Sequence, residues 1–108
     1  MTYRVIFQPR AFAQLEDQYR FIAEKNPIAA ARWFNRFKKA IEDLSHFPEQ
    51  FPLARESALA RREIRLKIIG KRASARRTYY VIDGDTVRIL CIRHSARSDA
   101  SMEDFEID

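Results

Sequence analysis

The chain is poor in the residues from which most catalytic centres are built. Its 108 residues include one cysteine, two glycines and two histidines. A single cysteine cannot form an internal disulfide, so nothing in the composition requires an oxidising compartment. Two isolated glycines exclude a glycine-rich phosphate loop, and the single cysteine and two histidines lack the spacing of a zinc site. We therefore expect neither a metal nor another cofactor.

Long apolar runs are also missing. No stretch approaches the ~20 residues that a helix needs to cross a bilayer, and the N-terminal segment lacks the apolar core of a signal peptide. We therefore expect a cytoplasmic protein. Its length predicts one domain, and a hydrophobic content of 46% is enough for one thin core. We place that domain at residues 1–97 and treat residues 98–108 as an acidic C-terminal tail.

Charge is distributed unevenly along the chain. The net charge is +5, but residues 61–97 carry eleven basic and three acidic side chains, whereas residues 98–108 carry five acidic side chains and no basic one. A concentrated positive field attracts nucleic acid or an acidic protein. The same bias also fits an ordinary solvated surface. The acidic tail is either a disordered solubilising segment or a shield for the basic region.

Hydrophobic periodicity predicts two long helices after a first strand. Alternation over Thr2–Gln8 indicates that strand. Apolar residues then recur every three or four positions from about Pro9 to Lys25, and again from Pro27 to a point before Pro48, with Asn26 as the cap between them. The expected apolar faces of the two helices consist of Phe12, Leu15, Tyr19 and Ile22, and of Ala30, Phe34, Phe37, Ile41 and Leu44, widened by Trp33 and Ala40.

Three further strands are expected in the second half, near Ile64–Ile68, Arg76–Ile82 and Thr86–Arg93. Asp83-Gly84 is a typical tight turn between the last two strands. The predicted fold class is α+β, with the order β-α-α-β-β-β and an antiparallel sheet packed on an N-terminal helical hairpin.

Strand alternation predicts the faces of this sheet. We expect Ile64, Leu66 and Ile68 to point toward the helices, and Arg65 and Lys67 to point away from them. On the next strand, Arg76 and Arg77 alternate, so one of the two must point toward the helices, and alternation alone does not say which. The other face of the sheet, or its rim, should then be left to arginine and lysine.

Phosphodiester cleavage by cations is the chemistry that these residues could support. Lysine and arginine can stabilise the negative charge of the transition state without a metal. Tyr79 or Tyr80 could donate a proton or stack on a base. His94 could be a general base, a structural residue at the sheet end or a contact to a partner. The arginines could equally be exposed strand residues that protect a sheet edge from aggregation.

One stretch carries a resemblance to a known family. Residues 77–90 read RTYYVIDGDTVRIL, residues 91–94 read CIRH, and Arg97 completes an Arg-His-x-x-Arg ending. Together with the order of elements and the end of the second helix (Ala40-Ile41, Leu44, Phe47-Pro48 and Pro52), this pattern resembles the ParE/RelE superfamily. These proteins are the toxins of bacterial type II toxin–antitoxin modules, also described as plasmid stabilisation proteins. The resemblance runs from the first strand to Arg97.

The resemblance implies one of two activities. ParE-like members poison DNA gyrase and are not enzymes, whereas RelE-like members cleave mRNA in the ribosomal A site with sheet cations and a C-terminal tyrosine. The long helical hairpin, and the lack of a tyrosine after Arg97, favour the ParE type. The basic sheet favours the RelE type. We expect a gyrase inhibitor, with two alternatives left open: a ribosome-dependent mRNA endoribonuclease, and a weakly toxic protein that acts only in an autoregulatory complex.

The candidate site residues follow from these alternatives. For a metal-independent ribonuclease, we expect Lys67 and Arg77 to stabilise phosphate and His94 or Tyr79 to carry the proton. Candidate binding residues are Arg32, Arg36, Arg65, Arg76, Arg93 and Arg97.

The resemblance also implies a cognate antitoxin, which should wrap an acidic, partly disordered segment over the basic sheet and the hairpin. Trp33 and Phe51 are possible contacts for it, or core residues.

Overall fold

A computed structural model describes residues 2–71, 75–94 and 105, apart from the side chain of Leu59. It begins with strand β1 (Arg4–Phe7), helix α1 (Pro9–Lys25) and helix α2 (Pro27–His46). Each helix starts with proline, whose missing N–H is not needed in the first turn. Between them, the Asn26 side chain accepts hydrogen bonds from the backbone N–H groups of Ile28 and Ala29, both at 3.1 Å. The helix hairpin therefore has the predicted bounds.

The second half contains a 3-10 turn (Pro48–Gln50), one turn of helix, α3 (Ser57–Ala60), and strands β2 (Arg65–Ile69), β3 (Arg76–Asp83) and β4 (Thr86–His94). Gly84 lies in the β3–β4 turn with φ +62°, a conformation that favours glycine. The predicted α+β class and the order of the elements are confirmed.

The four strands form one sheet in the order β1-β4-β3-β2. The last three strands are an antiparallel meander, as expected. Strand β1 lies beside β4 and runs parallel to it, with Arg4 opposite Thr86 and Phe7 opposite Ile89. The sheet as a whole is therefore mixed.

A β-bulge in β4 changes which side chains face the helices. Tyr79 pairs with Cys91 and Tyr80 pairs with Ile89, so Leu90 is an extra residue in the ladder. Leu90 and Cys91 consequently lie in one hydrophobic cluster, and Ile89 lies in another.

The helices cover one face of the sheet. The buried residues of this core are Ala11, Leu15, Trp33, Phe37, Leu44, Ile69, Tyr80, Val87, Ile89 and Ile92. Trp33 is thus a core residue, and Phe51 packs against the same cluster. The prediction that Phe12, Tyr19 and Phe34 face the core was wrong, because they are 51%, 40% and 40% exposed. Small Ala11 belongs to this core instead, and Ala30 is also fully buried.

The opposite face, called here the second face, is covered as well. Its hydrophobic cluster, the second-face cluster, consists of Ala54, Ile64, Tyr79, Val81, Leu90, Cys91 and Phe105. The expectation that arginine and lysine would occupy this face is therefore wrong over much of its area. Phe105 comes from the predicted tail, of which the other residues lie outside the described part of the chain.

The orientation predicted for β2 was also wrong. Ile64 belongs to the second-face cluster, Leu66 packs against it and Ile68 is 58% exposed, whereas Lys67 and Ile69 are buried on the helix side. Apolar residues occupy both faces of this strand, so alternation identified the two sets correctly and assigned them to the wrong sides.

Candidate functional site

Lys67 lies beneath the end of α2. Its Nζ donates a hydrogen bond of 3.0 Å to the carbonyl oxygen of Ala40, and lies 3.7 Å from the Asp43 carboxylate and 4.7 Å from the centre of the Phe51 ring. The side chain is 11% exposed. Burial lowers the pKa of Lys67 below its usual value, and the nearby Asp43 carboxylate partly opposes that shift. This lysine ties β2 to α2 and is not presented on an open surface.

Arg65 has a similar position beside the loop that follows α2. Its Nη1 donates to the carbonyl oxygens of Phe51 at 2.7 Å and of Glu49 at 3.2 Å. These bonds fix the loop against the sheet. The expectation that Arg65 and Lys67 point away from the helix side is wrong for both residues.

Arg76 and His94 meet at the end of the sheet, in register on β3 and β4. They line a polar cavity of about 370 Å³ together with Gln14, Asp17, Gln18, Phe21, Ile92 and Arg93. Arg76 is 7% exposed; its Nε donates to Gln18 Oε1 at 2.7 Å, and its guanidinium lies 5.8 Å from the centre of the Trp33 ring. Arg76 is therefore the arginine of the pair that points toward the helices. Burial lowers its pKa.

Two glutamines of α1, which the sequence reasoning did not single out, position this end of β4. The backbone N–H of Ile92 donates to Gln14 Oε1 at 2.7 Å, and the carbonyl oxygen of Ile92 accepts from Gln18 Nε2 at 3.2 Å. The pairing of β1 with β4 ends at Ile89, so these side chains take the place of a neighbouring strand. Their i, i+4 spacing on the sheet-facing side of a helix is the signal that could have identified them.

Arg77 and Arg93 lie opposite each other on β3 and β4, and Arg77 also lies opposite Ile68 of β2. Because successive side chains of a strand alternate between faces, this pair is on the second face. Lys67, which is paired with Thr78, is on the helix side. The structure thus brings Arg76 and His94 together at the polar cavity, places Arg77 and Arg93 on the second face, and separates Lys67 from Arg77.

The remaining candidate residues lie elsewhere. Arg32 and Arg36 are exposed on α2, one turn apart. Arg97 lies outside the described residues.

Both tyrosines of β3 are fully buried. The Tyr79 hydroxyl donates to Glu56 Oε2 and the Tyr80 hydroxyl donates to the carbonyl oxygen of Pro48, each at 2.6 Å. Burial raises the pKa of both phenols above the usual value of 10.0, and the Glu56 carboxylate adds to the rise at Tyr79. In this conformation neither ring is accessible for stacking on a base.

An apolar groove lies on the helix hairpin and is called here the hairpin groove. It has a volume of about 590 Å³ and is lined by Phe7, Phe12, Leu15, Tyr19, Ala23, Phe34, Phe37 and Ile41, with Glu16, Arg20 and Lys38 also contributing. Tyr19 and Phe34 meet edge to face across it, with ring centres 5.8 Å apart. The aromatic residues that periodicity assigned to the core therefore form an exposed surface.

Metal and membrane features can be stated for the described residues. Residues 2–71, 75–94 and 105 include no group of three histidine, cysteine, aspartate or glutamate side chains that could hold a metal ion. In the same part of the chain, every helix is too short or too polar to span a bilayer.

Comparison with known proteins identifies a family and a relative. The family model described as "ParE toxin of type II toxin-antitoxin system, parDE" matches residues 5–99. A protein named Toxin RelE2, from Caulobacter vibrioides (strain ATCC 19089 / CIP 103742 / CB 15), is 34% identical over 94 residues, which cover 87% of this chain and 97% of that protein.

Proposed function

Because the chain belongs to the ParE toxin family of type II toxin–antitoxin systems, we propose that it arrests growth by binding DNA gyrase, and that a cognate antitoxin neutralises it. In this proposal the toxin performs no covalent chemistry of its own.

The observation that carries the proposal is the dispersal of the groups that RNA cleavage would need. Metal-free cleavage of a phosphodiester requires cations and a proton donor aimed at one phosphate. Lys67 is hydrogen-bonded beneath α2, Arg77 lies on the opposite face, and the Tyr79 hydroxyl is buried against Glu56. This arrangement supports a toxin that acts by binding.

We assign the gyrase contact to the exposed side of α2, where Arg32 and Arg36 present two cations one turn apart. Exposed cations at the rim of an interface mainly accelerate association and set specificity. Reversing both charges should therefore relieve growth arrest. The matched control reverses Arg4 and Arg62, which are also exposed but lie outside the hairpin, and it should remain toxic. Full toxicity of the Arg32→Glu, Arg36→Glu variant would contradict this assignment.

We assign the antitoxin contact in part to the hairpin groove. Phe12 is 51% exposed and Phe34 is 40% exposed there, and a contiguous apolar surface of this kind typically marks a protein interaction site. An antitoxin segment with apolar anchors and acidic flanks would fit the groove and its rim cations Arg20 and Lys38. Phe34→Glu should weaken antitoxin binding at least tenfold, while Phe47→Glu, at an exposed phenylalanine outside the groove, should not.

The target can be tested in cells. Induction of the toxin alone should stop DNA synthesis within the first minutes, while protein synthesis continues, as measured by pulse labelling. Early loss of protein synthesis would instead favour mRNA cleavage.

Cleavage of ribosome-bound mRNA is the second candidate function. Two observations favour it: the polar cavity that gathers Arg76, Arg93 and His94, and the name of the relative, Toxin RelE2. In this alternative, Lys67 and Arg77 would stabilise phosphate after a rearrangement, and His94 would carry the proton. Cleavage by purified toxin on programmed ribosomes should then be lost in Arg77→Ala and His94→Gln variants that remain folded.

A further inference from the structure

The two rims of the hairpin groove match each other level by level. One rim is α1 and the other is α2, and the contact between the rings of Tyr19 and Phe34 fixes one level. Because the helices are antiparallel, one turn back along α1 and one turn forward along α2 lead the same way, away from the hairpin tip at Asn26. Glu16 stands one turn from Tyr19, and Lys38 stands one turn from Phe34. Glu16 and Lys38 therefore lie at the same level on opposite rims.

These two charged residues have opposite signs and no partner of their own. Both side chains are exposed and both line the groove. Within residues 2–71, 75–94 and 105, neither of them forms an ion pair, whereas the neighbouring Arg20 lies 3.7 Å from the Asp17 carboxylate. The groove thus carries an unpaired carboxylate on one rim and an unpaired ammonium group on the other.

Apolar side chains lie on both sides of this charged level. Tyr19 and Phe34, nearer the tip, are each 40% exposed. Two turns from them and farther from the tip stand Phe12, which is 51% exposed, and the partly buried Ile41. Contiguous apolar surface with a polar rim typically marks a protein interaction site.

This arrangement is complementary to itself under a twofold rotation. A twofold axis that runs along the groove exchanges the rims and keeps the levels, so it places α1 of one copy over α2 of another. In such an isologous contact, residue i meets residue j and residue j meets residue i. Glu16 of each copy then faces Lys38 of the other, and the aromatic level of each copy faces the same level of the other.

We propose that the hairpin groove is the interface of a homodimer of the free toxin, with Glu16 of each copy paired to Lys38 of the other. The proposal rests on the hairpin groove and does not depend on the target of the toxin. The antitoxin segment assigned above to the same groove would have to displace the second copy, so it would bind the dimeric toxin more weakly by the fraction of toxin that is monomeric.

The mass of the purified chain without antitoxin is the first test. Sedimentation equilibrium at micromolar concentration should give twice the 12.8 kDa mass of one chain, and dilution should lower it to that of one chain. Phe34→Glu should raise the dimer dissociation constant at least tenfold, whereas Phe47→Glu, at an exposed position outside the groove, should leave it unchanged. A single-chain mass up to millimolar concentration would overturn the proposal. Because antitoxin is absent from this assay, its result is independent of the antitoxin contact.

A charge swap tests the twofold pairing itself. Glu16→Lys and Lys38→Glu each place like charges together at two symmetric positions, so each should raise the dissociation constant at least tenfold. The double variant restores opposite charges and should return the dissociation constant to within about threefold of the unaltered protein.

Matched controls separate this pairing from an effect of net charge. Glu24→Lys and Lys39→Glu make the same charge changes at exposed positions of the same helices that do not line the groove, and both should leave the dimer unchanged. Circular dichroism checks that every variant is folded. Dissociation of the dimer by these controls, or failure of the double variant to restore it, would contradict the proposed interface.

Discussion

Replacement of Lys67 by alanine should destabilise the fold, whatever the target of the toxin. The structure gives the magnitude. A hydrogen bond from a charged donor, such as the one to Ala40, contributes about 1.5–3 kcal/mol. The cation–π contact with Phe51 adds about 0.5–1 kcal/mol. Asp43 is 62% exposed, so its ion pair adds little. We therefore expect Lys67→Ala to lower the free energy of unfolding by about 2–4 kcal/mol.

The assay is urea denaturation followed by the fluorescence of Trp33, the only tryptophan, which lies in the helix-side core. Lys67→Met keeps the apolar stem and should recover about 1 kcal/mol or more of the loss. Lys39→Ala, at an exposed position of α2, is the control and should stay within ~0.5 kcal/mol of the unaltered protein. If Lys67→Ala proved as stable as Lys39→Ala, the structural role assigned to Lys67 would be refuted. A loss of mRNA cleavage in Lys67→Ala could then be interpreted as a catalytic effect.

Three other predictions concern single contacts and can be checked by the same denaturation assay. Asn26→Ala removes the cap of α2 and should cost about 1 kcal/mol; an unchanged midpoint would mean that the cap contributes nothing. Gln14→Ala leaves the N–H of Ile92, a residue that is 2% exposed, without its acceptor. This change should lower the free energy of unfolding by about 1–3 kcal/mol. A negligible effect would mean that water replaces the glutamine. Burial raises the pKa of the Tyr80 phenol above the value of 10.0 that it has in the unfolded chain. The stabilisation linked to this shift is fully present below pH 10 and is lost as the pH rises further. The free energy of unfolding of the unaltered protein should therefore fall above pH 10 more steeply than that of Tyr80→Phe. Tyr80→Phe should itself cost about 1–3 kcal/mol at neutral pH, because the buried carbonyl of Pro48 loses its donor.

The parts of the fold that sequence reasoning predicted correctly are those determined by local chemistry. Pro9 and Pro27 begin the helices, Asn26 caps the second helix, and Gly84 makes the β3–β4 turn. Each of these depends on the conformational preference of one residue. The order of elements and the fold class rested on hydrophobic periodicity as well.

The assignment of faces failed where apolar residues occupy both sides of an element. Strand β2 has Leu66 on the second face and Ile69 on the helix side, so alternation could not identify the face that meets the helices. On α1, the aromatic stripe of Phe12 and Tyr19 looked more hydrophobic than the stripe of Ala11 that packs against the sheet. Periodicity measures hydrophobicity and does not detect the close approach that a small residue allows.

The candidate site was harder to predict because it depends on pairing across the sheet. The bulge at Leu90 shifts the register of β4 by one residue, which decides that His94 pairs with Arg76 and that Arg93 pairs with Arg77. No local pattern around Leu90 indicates this shift. The contact of Phe105 with Tyr79 is likewise a single long-range interaction, and nothing in the acidic tail except its one phenylalanine suggests it.

Inhibition of purified DNA gyrase tests the proposed target most directly. We predict that the purified protein blocks negative supercoiling of plasmid DNA, that Arg32→Glu, Arg36→Glu abolishes the effect, and that Arg4→Glu, Arg62→Glu preserves it. Full gyrase activity at saturating toxin, together with cleavage of mRNA on ribosomes by the same preparation, would contradict the proposal that the toxin binds gyrase and would assign it to the enzymatic branch of its family.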